Sequence, residues 1–128
     1  MAVEKSNAER DAENKKLGKL GEKKARAHLR KNGYKIVKKN YVNPFGEVDI
    51  IAEKNGVTAF VEVKTRLSDI FGAPSEAVTR VKQRKYIQAA KYYFTGKEVD
   101  CTVRFDIIEV FRGQINHIEN AFYENGGY

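Results

Sequence analysis

An Asn-Gly pair at residues 55 and 56 separates two runs of alternating apolar residues, GEVDIIAEK and VTAFVEVKTR. Asn-Gly between such runs is typical of a two-residue type I′ turn, so the segment predicts a β-hairpin. Pairing outward from the turn places Asp49 directly opposite Glu62. The predicted hairpin therefore carries two facing acids inside apolar strands.

Side chains alternate along a strand, so this register predicts one face with Asp49, Glu62 and Lys64. It predicts an apolar opposite face made by Val48, Ile50, Val61 and Val63. Opposed carboxylates repel one another unless one stays protonated or a cation lies between them. A divalent ion such as Mg²⁺ prefers oxygen ligands, and a lysine beside it would stabilise negative charge on a phosphate. The residues alone leave an ordinary solvated hairpin face equally open.

The rest of the chain predicts two helices and three further strands around this hairpin. The expected elements are a helix over 9–31, a strand over 34–42, a turn at 43–46, a loop over 66–74, a helix from 74–76 to 94, and strands over 99–111 and 114–120. The order α-β-β-β-α-β-β predicts an α/β fold with a mixed central β-sheet flanked by helices. We expect a single domain over 1–128, with loose ends at 1–8 and 124–128.

The charge balance favours a polyanionic partner. Lys and Arg number 24 against 17 Asp and Glu, which gives a net charge of +7. Basic groups that neutralise phosphates release condensed counterions, so nucleic acid is a candidate partner class, but charge alone leaves a basic protein without a polyanionic partner equally open. No apolar run is long enough to span a membrane, and the charged N-terminus does not read as a signal peptide, so we expect a cytoplasmic protein. Cys101, the single cysteine, is interpreted as a packing residue in a strand.

The pattern G-E-V-D-I-I, followed by E-V-K, resembles the D…(D/E)-x-K signature of the PD-(D/E)xK nuclease superfamily, which has the restriction-endonuclease-like fold. More narrowly, the chain from about residue 17 to about residue 110 resembles the YraN family of uncharacterised bacterial nuclease-like proteins. The matching segments include LGKLGEKKARAHL, GYKIVKKNY, GEVDIIA, FVEVKTR, FGAPSEAV and RFDIIEV. That family in turn resembles archaeal-type Holliday junction resolvases.

The resemblance implies roles for four residues. Asp49 and Glu62 match the metal-binding carboxylates, and Lys64 matches the motif lysine. Glu22 matches an acid on the first helix of resolvase-like members and would be a third catalytic and metal-binding residue. Glu22 also falls on a helical stripe with Gly18, Ala25 and Leu29 that should face the sheet. By resemblance, Mg²⁺ or Mn²⁺ is the expected cofactor; from the residues alone, Glu22 could equally belong to a solvated charged patch.

Basic residues near the second helix are the candidates for contacting nucleic acid. Lys82 matches a polar helix residue that approaches the site in related nucleases, and its helical stripe predicts that it faces inward. The other phosphate-contacting candidates are Arg66, Arg80, Arg84 and Lys85. The alternative is a basic helix face that is simply solvated.

Several other polar and aromatic residues receive structural interpretations. Asp106 is explained as well by an ion pair as by catalysis, and Glu47 is expected to form a salt bridge with Lys64 across the hairpin. His28 and His117 are interpreted as surface or packing histidines. Three aromatic residues are expected in the core rather than as stacking platforms for bases: Tyr92, Tyr93 and Phe94.

These observations lead to one principal hypothesis and two alternatives. The first is a Mg²⁺-dependent endonuclease that hydrolyses phosphodiesters of DNA rather than RNA, with branched or structured DNA expected from the resemblance. Because junction-cleaving relatives pair two active sites, the resemblance also implies a homodimer. The alternatives are a non-catalytic basic DNA- or RNA-binding module with a vestigial nuclease site, and an interaction subunit of a larger complex.

Overall fold

The computed structural model describes residues 6–66 and 78–124. They form two helices and five strands: α1 (Asn7–Lys31), β1 (Lys35–Asn43), β2 (Gly46–Lys54), β3 (Val57–Arg66), α2 (Arg80–Tyr93), β4 (Thr102–Phe111) and β5 (Gln114–Phe122). The predicted element order is confirmed. Among the described helices, none is both long and apolar enough to cross a membrane.

The strands form one sheet in the order β1-β2-β3-β4-β5. Strands β3 and β4 are parallel, and the other three neighbouring pairs are antiparallel. A parallel pair needs a crossover connection, and α2 lies within the chain that joins β3 to β4. The mixed sheet flanked by helices confirms the predicted fold class, which is consistent with a restriction-endonuclease-like fold.

Each face of the sheet packs against one helix and has its own hydrophobic cluster. On the α1 face, Ala25 and Leu29 pack with strand residues such as Ile50 and Val61. The cluster on the α2 face includes Val48, Ile51, Phe60, Tyr86 and Ala89. A charged side chain on a central strand therefore belongs to a part of the sheet that is covered on both faces.

Helix α1 starts earlier than predicted and buries only its C-terminal part. The Ser6 side chain accepts the Glu9 N–H at 3.2 Å, so residues 7 and 8, expected to be loose, are helical. Leu17 and Leu20 are exposed, so the apolar face that contacts the sheet begins only at Gly21. There the helix backbone approaches the Thr65 side chain so closely that a Cβ on Gly21 would lie 2.0 Å from Thr65 Oγ1. This contact fixes the helix against β3 next to Glu22.

Helix α2 starts later than predicted. Its first residue is Arg80, and the Thr79 side chain caps it by accepting the Lys82 N–H at 3.2 Å. A helix running through residues 78 and 79 is therefore wrong. The predicted loop over 66–74 is wrong at Arg66, which is the last residue of β3, and its other residues lie outside the described residues, as does the predicted helix start at 74–76.

Two strand boundaries also differ from the predictions. Strand β4 begins at Thr102, so Cys101 precedes the strand rather than lying in it, and its Sγ accepts the Thr58 hydroxyl at 3.4 Å. Strand β5 continues to Phe122, because Phe122 is buried and pairs with Phe105.

The hairpin has the predicted register near its turn and departs from it at Asp49. Positive φ angles at Asn55 (48°) and Gly56 (77°) fit the type I′ turn, and the ladder runs from the Lys54–Val57 pair to the Ile50–Val61 pair. Beyond that pair, the Asp49 N–H donates to the Tyr86 hydroxyl at 3.3 Å instead of to β3. Strand β2 therefore separates from β3 at this point.

This separation overturns part of the predicted face pattern. Val48 packs in the α2-face cluster, whereas Ile50 packs in the α1-face cluster, so the shared apolar face predicted for these two residues is wrong. The simple alternation fails because β2 no longer follows β3 beyond Ile50 and pairs there only with β1.

Candidate active site

Asp49 and Glu62 lie where β2 leaves β3, each one residue beyond the last paired residues of the hairpin. The Asp49 carboxylate takes the place of a strand partner, because its Oδ2 accepts the Val63 N–H at 2.8 Å. Glu62 is only 2% exposed. The predicted meeting of the two acids therefore occurs, in a gap between strands rather than on a regular ladder.

Both carboxylate oxygens of Glu62 are engaged by α2. The Lys82 ammonium lies 2.6 Å from Oε1, and the Tyr86 hydroxyl donates to Oε2. Lys82 and Tyr86 are four residues apart and so lie one turn apart on the same face of the helix. The structure thus brings Lys82 into the carboxylate site itself, as its inward-facing stripe predicts.

Tyr86 is a site residue that sequence reasoning missed as a functional group. Its hydroxyl accepts the Asp49 N–H and donates to Glu62, so one phenol joins both acids. Burial, with the charges of Asp49 and Glu62, raises the pKa of Tyr86 well above its ordinary value, so the phenol keeps its proton. The signal in the sequence was the Lys82–Tyr86 spacing on an otherwise apolar stripe.

Asp49 and Glu62 lie so close together that the charge of one opposes ionisation of the other. Burial raises the pKa of Asp49 to about 8, and the charge of Glu62 adds to the rise. The Val63 N–H acts in the opposite direction by stabilising the ionised form. Near neutral pH the pair therefore holds a proton that an exposed aspartate would have lost.

Glu22 approaches the same site from α1. It shares with Asp49, Glu62 and Lys64 the lining of a cleft of about 370 Å³. Burial, followed by the charge of Glu47, raises the pKa of Glu22. When the Asn40 side-chain amide is oriented with its nitrogen towards the acids, that nitrogen donates to Glu22 Oε1 at 3.0 Å and to Glu47 Oε1 at 3.0 Å. The four residues implied by the resemblance therefore line one cleft.

The acids do not form a ready-made set of three metal ligands. Within residues 6–66 and 78–124, no group of three or more His, Cys, Asp or Glu side chains is arranged to hold a metal ion. Asp49 and Glu62 interact directly, while Glu22 faces the Asn40 amide. The role of Glu22 as a metal ligand stays a prediction.

Lys64 lines the cleft but does not pair with Glu47. Among the ion pairs of the described residues, none joins Glu47 to Lys64. The expected salt bridge across the hairpin is therefore wrong. The physical reason is the separation of the strands, because Glu47 pairs with Val42 of β1 instead of facing Lys64 on β3.

The remaining basic candidates have different surroundings. Arg80, Arg84 and Lys85 are exposed along the first turns of α2. Arg66, in contrast, forms an ion pair with Glu109 through its Nε at 2.9 Å. Of the five predicted phosphate-contacting residues, the structure therefore leaves three exposed on α2, pairs Arg66 with Glu109 and pairs Lys82 with Glu62.

Asp106 lies away from the carboxylate pair and serves as the centre of an ion-pair network. Arg104 donates to both of its oxygens at 2.8 Å, and His117 lies 2.8 Å from Oδ2. Because Asp106 pairs with Val61 in the parallel ladder, its side chain is on the α1 face of the sheet. Of the two interpretations offered by the sequence, the geometry favours the ion pair.

The two histidines and Tyr92 depart from the packing roles expected of them. His117 bonds to Asp106 and lies 3.3 Å from the His28 ring, so the two histidines belong to the Asp106 network. Tyr93 and Phe94 pack against the α2-face cluster as expected. Tyr92 is 47% exposed, so its expected core position is wrong: it lies on the side of α2 that turns away from the sheet.

Comparison with known proteins places the chain in a family. Residues 21–110 match the profile of "Uncharacterised protein family UPF0102". A UPF0102 protein of Thermodesulfovibrio yellowstonii is 48% identical over 107 residues, which cover 84% of this chain and 96% of that protein. A UPF0102 protein of Clostridium acetobutylicum is 46% identical over 116 residues, covering 85% and 95%. The resemblance to the YraN family is therefore confirmed, and the chain belongs to the UPF0102 family.

Proposed function

We propose that this protein is a Mg²⁺-dependent endonuclease that hydrolyses phosphodiester bonds in DNA, with branched or structured DNA as its substrate. One observation carries the proposal: Asp49, which is partly buried, adjoins the buried Glu62, and the pKa of Asp49 is raised to about 8. Neighbouring acids in such surroundings must share a proton or be offset by a cation. The arrangement destabilises the fold, and perturbed acids of this kind cluster at functional sites.

The donor atoms fit a hard divalent cation. Asp49 and Glu62 offer carboxylate oxygens, which Mg²⁺ and Mn²⁺ prefer. A positive charge is already accommodated beside them, because the Lys82 ammonium lies 2.6 Å from Glu62 Oε1. Asp49 and Glu62 would hold the ion, with Glu22 as a further oxygen ligand. When bound, a divalent ion supplies charge stabilisation at the phosphate and lowers the pKa of water.

The lysines and arginines of the chain bind and orient the substrate. Lys64 shares a cleft with Asp49 and Glu62, where its ammonium would bind an oxygen of the scissile phosphate. The exposed side chains at the start of α2 would contact flanking phosphates: Arg80, Arg84 and Lys85. Phosphate contacts fix the position of the DNA without reading its sequence. The net charge of +7 would also speed association with DNA.

A second function is favoured by a different observation. Lys82 and Tyr86 already engage both oxygens of Glu62, and the described residues contain no group of three metal-ligating side chains. On this basis the chain would be a basic nucleic-acid-binding module in which Lys82 permanently neutralises the acids. The two functions differ in one measurable property, since only the nuclease requires a divalent ion to displace Lys82 from Glu62.

A nuclease assay with matched variants tests the proposal. Wild type, Asp49→Asn and Glu62→Gln are incubated with four-way junction, single-stranded and duplex DNA, with Mg²⁺, Mn²⁺ or EDTA. We expect cleavage by the wild type that requires the ion and falls about 100-fold or more in either variant. Glu98→Gln makes the same chemical change at an exposed residue and should cleave like the wild type.

Each other outcome has a defined meaning. Cleavage that persists in both acid variants comes from a contaminant and contradicts the proposal. Binding of DNA by the wild type without cleavage of any substrate favours the binding module. Whether the protein is a nuclease or a binding module, its affinity for DNA should fall steeply with salt concentration. An affinity that does not depend on salt would count against nucleic acid as the partner.

A further inference from the structure

A second cleft adjoins the carboxylate pair on the α2 side. It encloses about 490 Å³ between the β1–β2 turn and α2. Asp49 lines this cleft as well as the smaller one that contains Glu22 and Lys64. The proposed hydrolysis gives the second cleft no role, yet a nucleic-acid strand bound at the acids could continue directly into it.

The mouth of this cleft presents exposed apolar and aromatic side chains. Phe45, in the β1–β2 turn, is 38% exposed, and Val81 of α2 is 56% exposed. The Phe45 ring meets the exposed ring of Tyr92 at a centroid distance of 6.3 Å and an angle of 72°. Packing against Tyr92 holds Phe45 in place while leaving part of its ring accessible. Exposed apolar groups that cluster at the mouth of a cleft make it a candidate binding surface.

Charge divides the cleft into two sides. Lys82 and Lys85 line it from α2, while Glu47 and Asp49 line it from β2. A phosphate would be repelled by the β2 side and attracted to the lysines of α2. The cleft extends along α2 from Val81 to Ala89, which corresponds to about 12 Å of helix. Its volume is that of a small-molecule site and does not admit a duplex.

We infer that this cleft binds one unpaired nucleotide next to the Asp49–Glu62 pair, with its base stacked on Phe45 and its phosphate at Lys82 and Lys85. The inference rests on the nucleic-acid part of the proposed function. Base faces become accessible only where a base leaves its pair, so stacking on Phe45 selects single strands, ends and branch points. An apolar peptide would use the aromatic mouth but not the two lysines, so the combination favours a nucleotide.

Equilibrium binding in EDTA tests the nucleotide site without any metal ion or cleavage. The probes are a fluorescein-labelled single strand and a blunt duplex of the same sequence, together with a single strand that contains 2-aminopurine. The variant Phe45→Leu keeps an apolar side chain and removes the aromatic ring. Tyr123→Leu is the matched control, because Tyr123 is 51% exposed and lines a different cleft, next to Phe94.

We expect Phe45→Leu to bind the single strand about 10-fold more weakly and the duplex as well as wild type does. Wild type should quench 2-aminopurine fluorescence, Phe45→Leu should quench it less, and Phe45→Tyr should restore both signals. Equal single-strand affinity of Phe45→Leu and wild type, or an equal loss for single strand and duplex, would overturn the inference. So would self-association that Phe45→Leu abolishes without any change in DNA binding, since the cleft would then be a contact between copies of the chain.

The result separates this site from the proposed hydrolysis. If Asp49→Asn abolishes cleavage while Phe45→Leu binds the single strand normally, the nuclease stands and the nucleotide site fails. If Phe45→Leu loses its preference for the single strand but no protein cleaves DNA, the nucleotide site stands and the nuclease fails. Thermal unfolding of each variant confirms that a loss of binding does not come from a loss of folding.

Discussion

Asp49, which is partly buried, and Asp106, which is fully buried, lie in the same sheet, and their surroundings differ in the sign of the charge that they meet. Asp106 is 0% exposed and receives hydrogen bonds from Arg104, from His117 and from the Asn120 N–H at 3.0 Å. Burial alone would raise its pKa, but these donors lower it below the ordinary value. Asp49 instead has Glu62 beside it, and its pKa rises to about 8.

The difference shows what distinguishes a structural acid from a candidate catalytic acid. Burial opposes ionisation at both positions, so burial by itself does not identify a site. The partners decide: Asp106 is neutralised from within the fold, whereas the Asp49–Glu62 pair carries more acid than its lysine offsets. A divalent cation is the kind of ligand that would complete the second arrangement and not the first.

The largest expected effect is on the free energy of unfolding, at the neutralised acid Asp106. Asp106→Ala removes the carboxylate and leaves Arg104 without its main partner inside the sheet, so we expect a loss of about 3–5 kcal/mol in the free energy of unfolding. Urea denaturation at pH 7 measures it. Asp100→Ala, at an exposed position, should change stability by no more than about 0.5 kcal/mol. A loss below about 1 kcal/mol at Asp106 would mean that the network is not what stabilises this side of the sheet.

The second prediction concerns the pH dependence of the unneutralised pair. The pKa of Asp49 in the fold, about 8, lies above its ordinary value of 3.8, so the folded state holds a proton that the unfolded chain releases. The contribution of Asp49 to stability is therefore fully present below pH 4 and falls as the pH rises towards 8, by at most about 1.4 kcal/mol per pH unit. Asp49→Asn mimics the protonated acid and should remove this slope.

Denaturation at pH 5, 6 and 7 measures the effect. We expect Asp49→Asn to gain about 2 kcal/mol over wild type between pH 5 and pH 7. Mg²⁺ or Mn²⁺ should stabilise wild type more at pH 8 than at pH 6, because the ion displaces the proton, and should not stabilise the variant. Parallel pH profiles for the two proteins would contradict the assignment of the shared proton to this pair.

The sequence predicts the fold and the meeting of the acids because both depend on local signals. The Asn55-Gly56 turn defines the hairpin register, and that register brings Asp49 to Glu62. Alternating apolar runs and helix-forming stretches give the element order without any tertiary information. The helical stripe of α2 likewise predicts that Lys82 faces inward, where it meets Glu62.

The errors arise where a tertiary contact replaces a local pattern. Strand β2 leaves β3 because Tyr86, 37 residues away along the chain, accepts the Asp49 N–H, and no property of the hairpin itself encodes that bond. The wrong Glu47–Lys64 pair follows from the same event. Tyr92 was expected in the core because it is aromatic, but whether a ring at the end of a helix is covered depends on what packs beside it.

The smallest expected effect compares two buried tyrosines that each serve one of the acids. Tyr86 donates to Glu62, and the Tyr34 hydroxyl accepts from Arg104 of the Asp106 network. Tyr86→Phe and Tyr34→Phe should each cost about 1 kcal/mol in unfolding free energy at pH 7.

The pH profiles of the two variants should differ. The Tyr86 hydroxyl partly offsets the repulsion between Asp49 and Glu62, so Tyr86→Phe should steepen the loss of stability from pH 5 to pH 8. Tyr34 belongs to the network of Asp106, which is already ionised, so Tyr34→Phe should lower stability equally across that range. Matching profiles would show that Tyr86 packs in the core without tuning the acids.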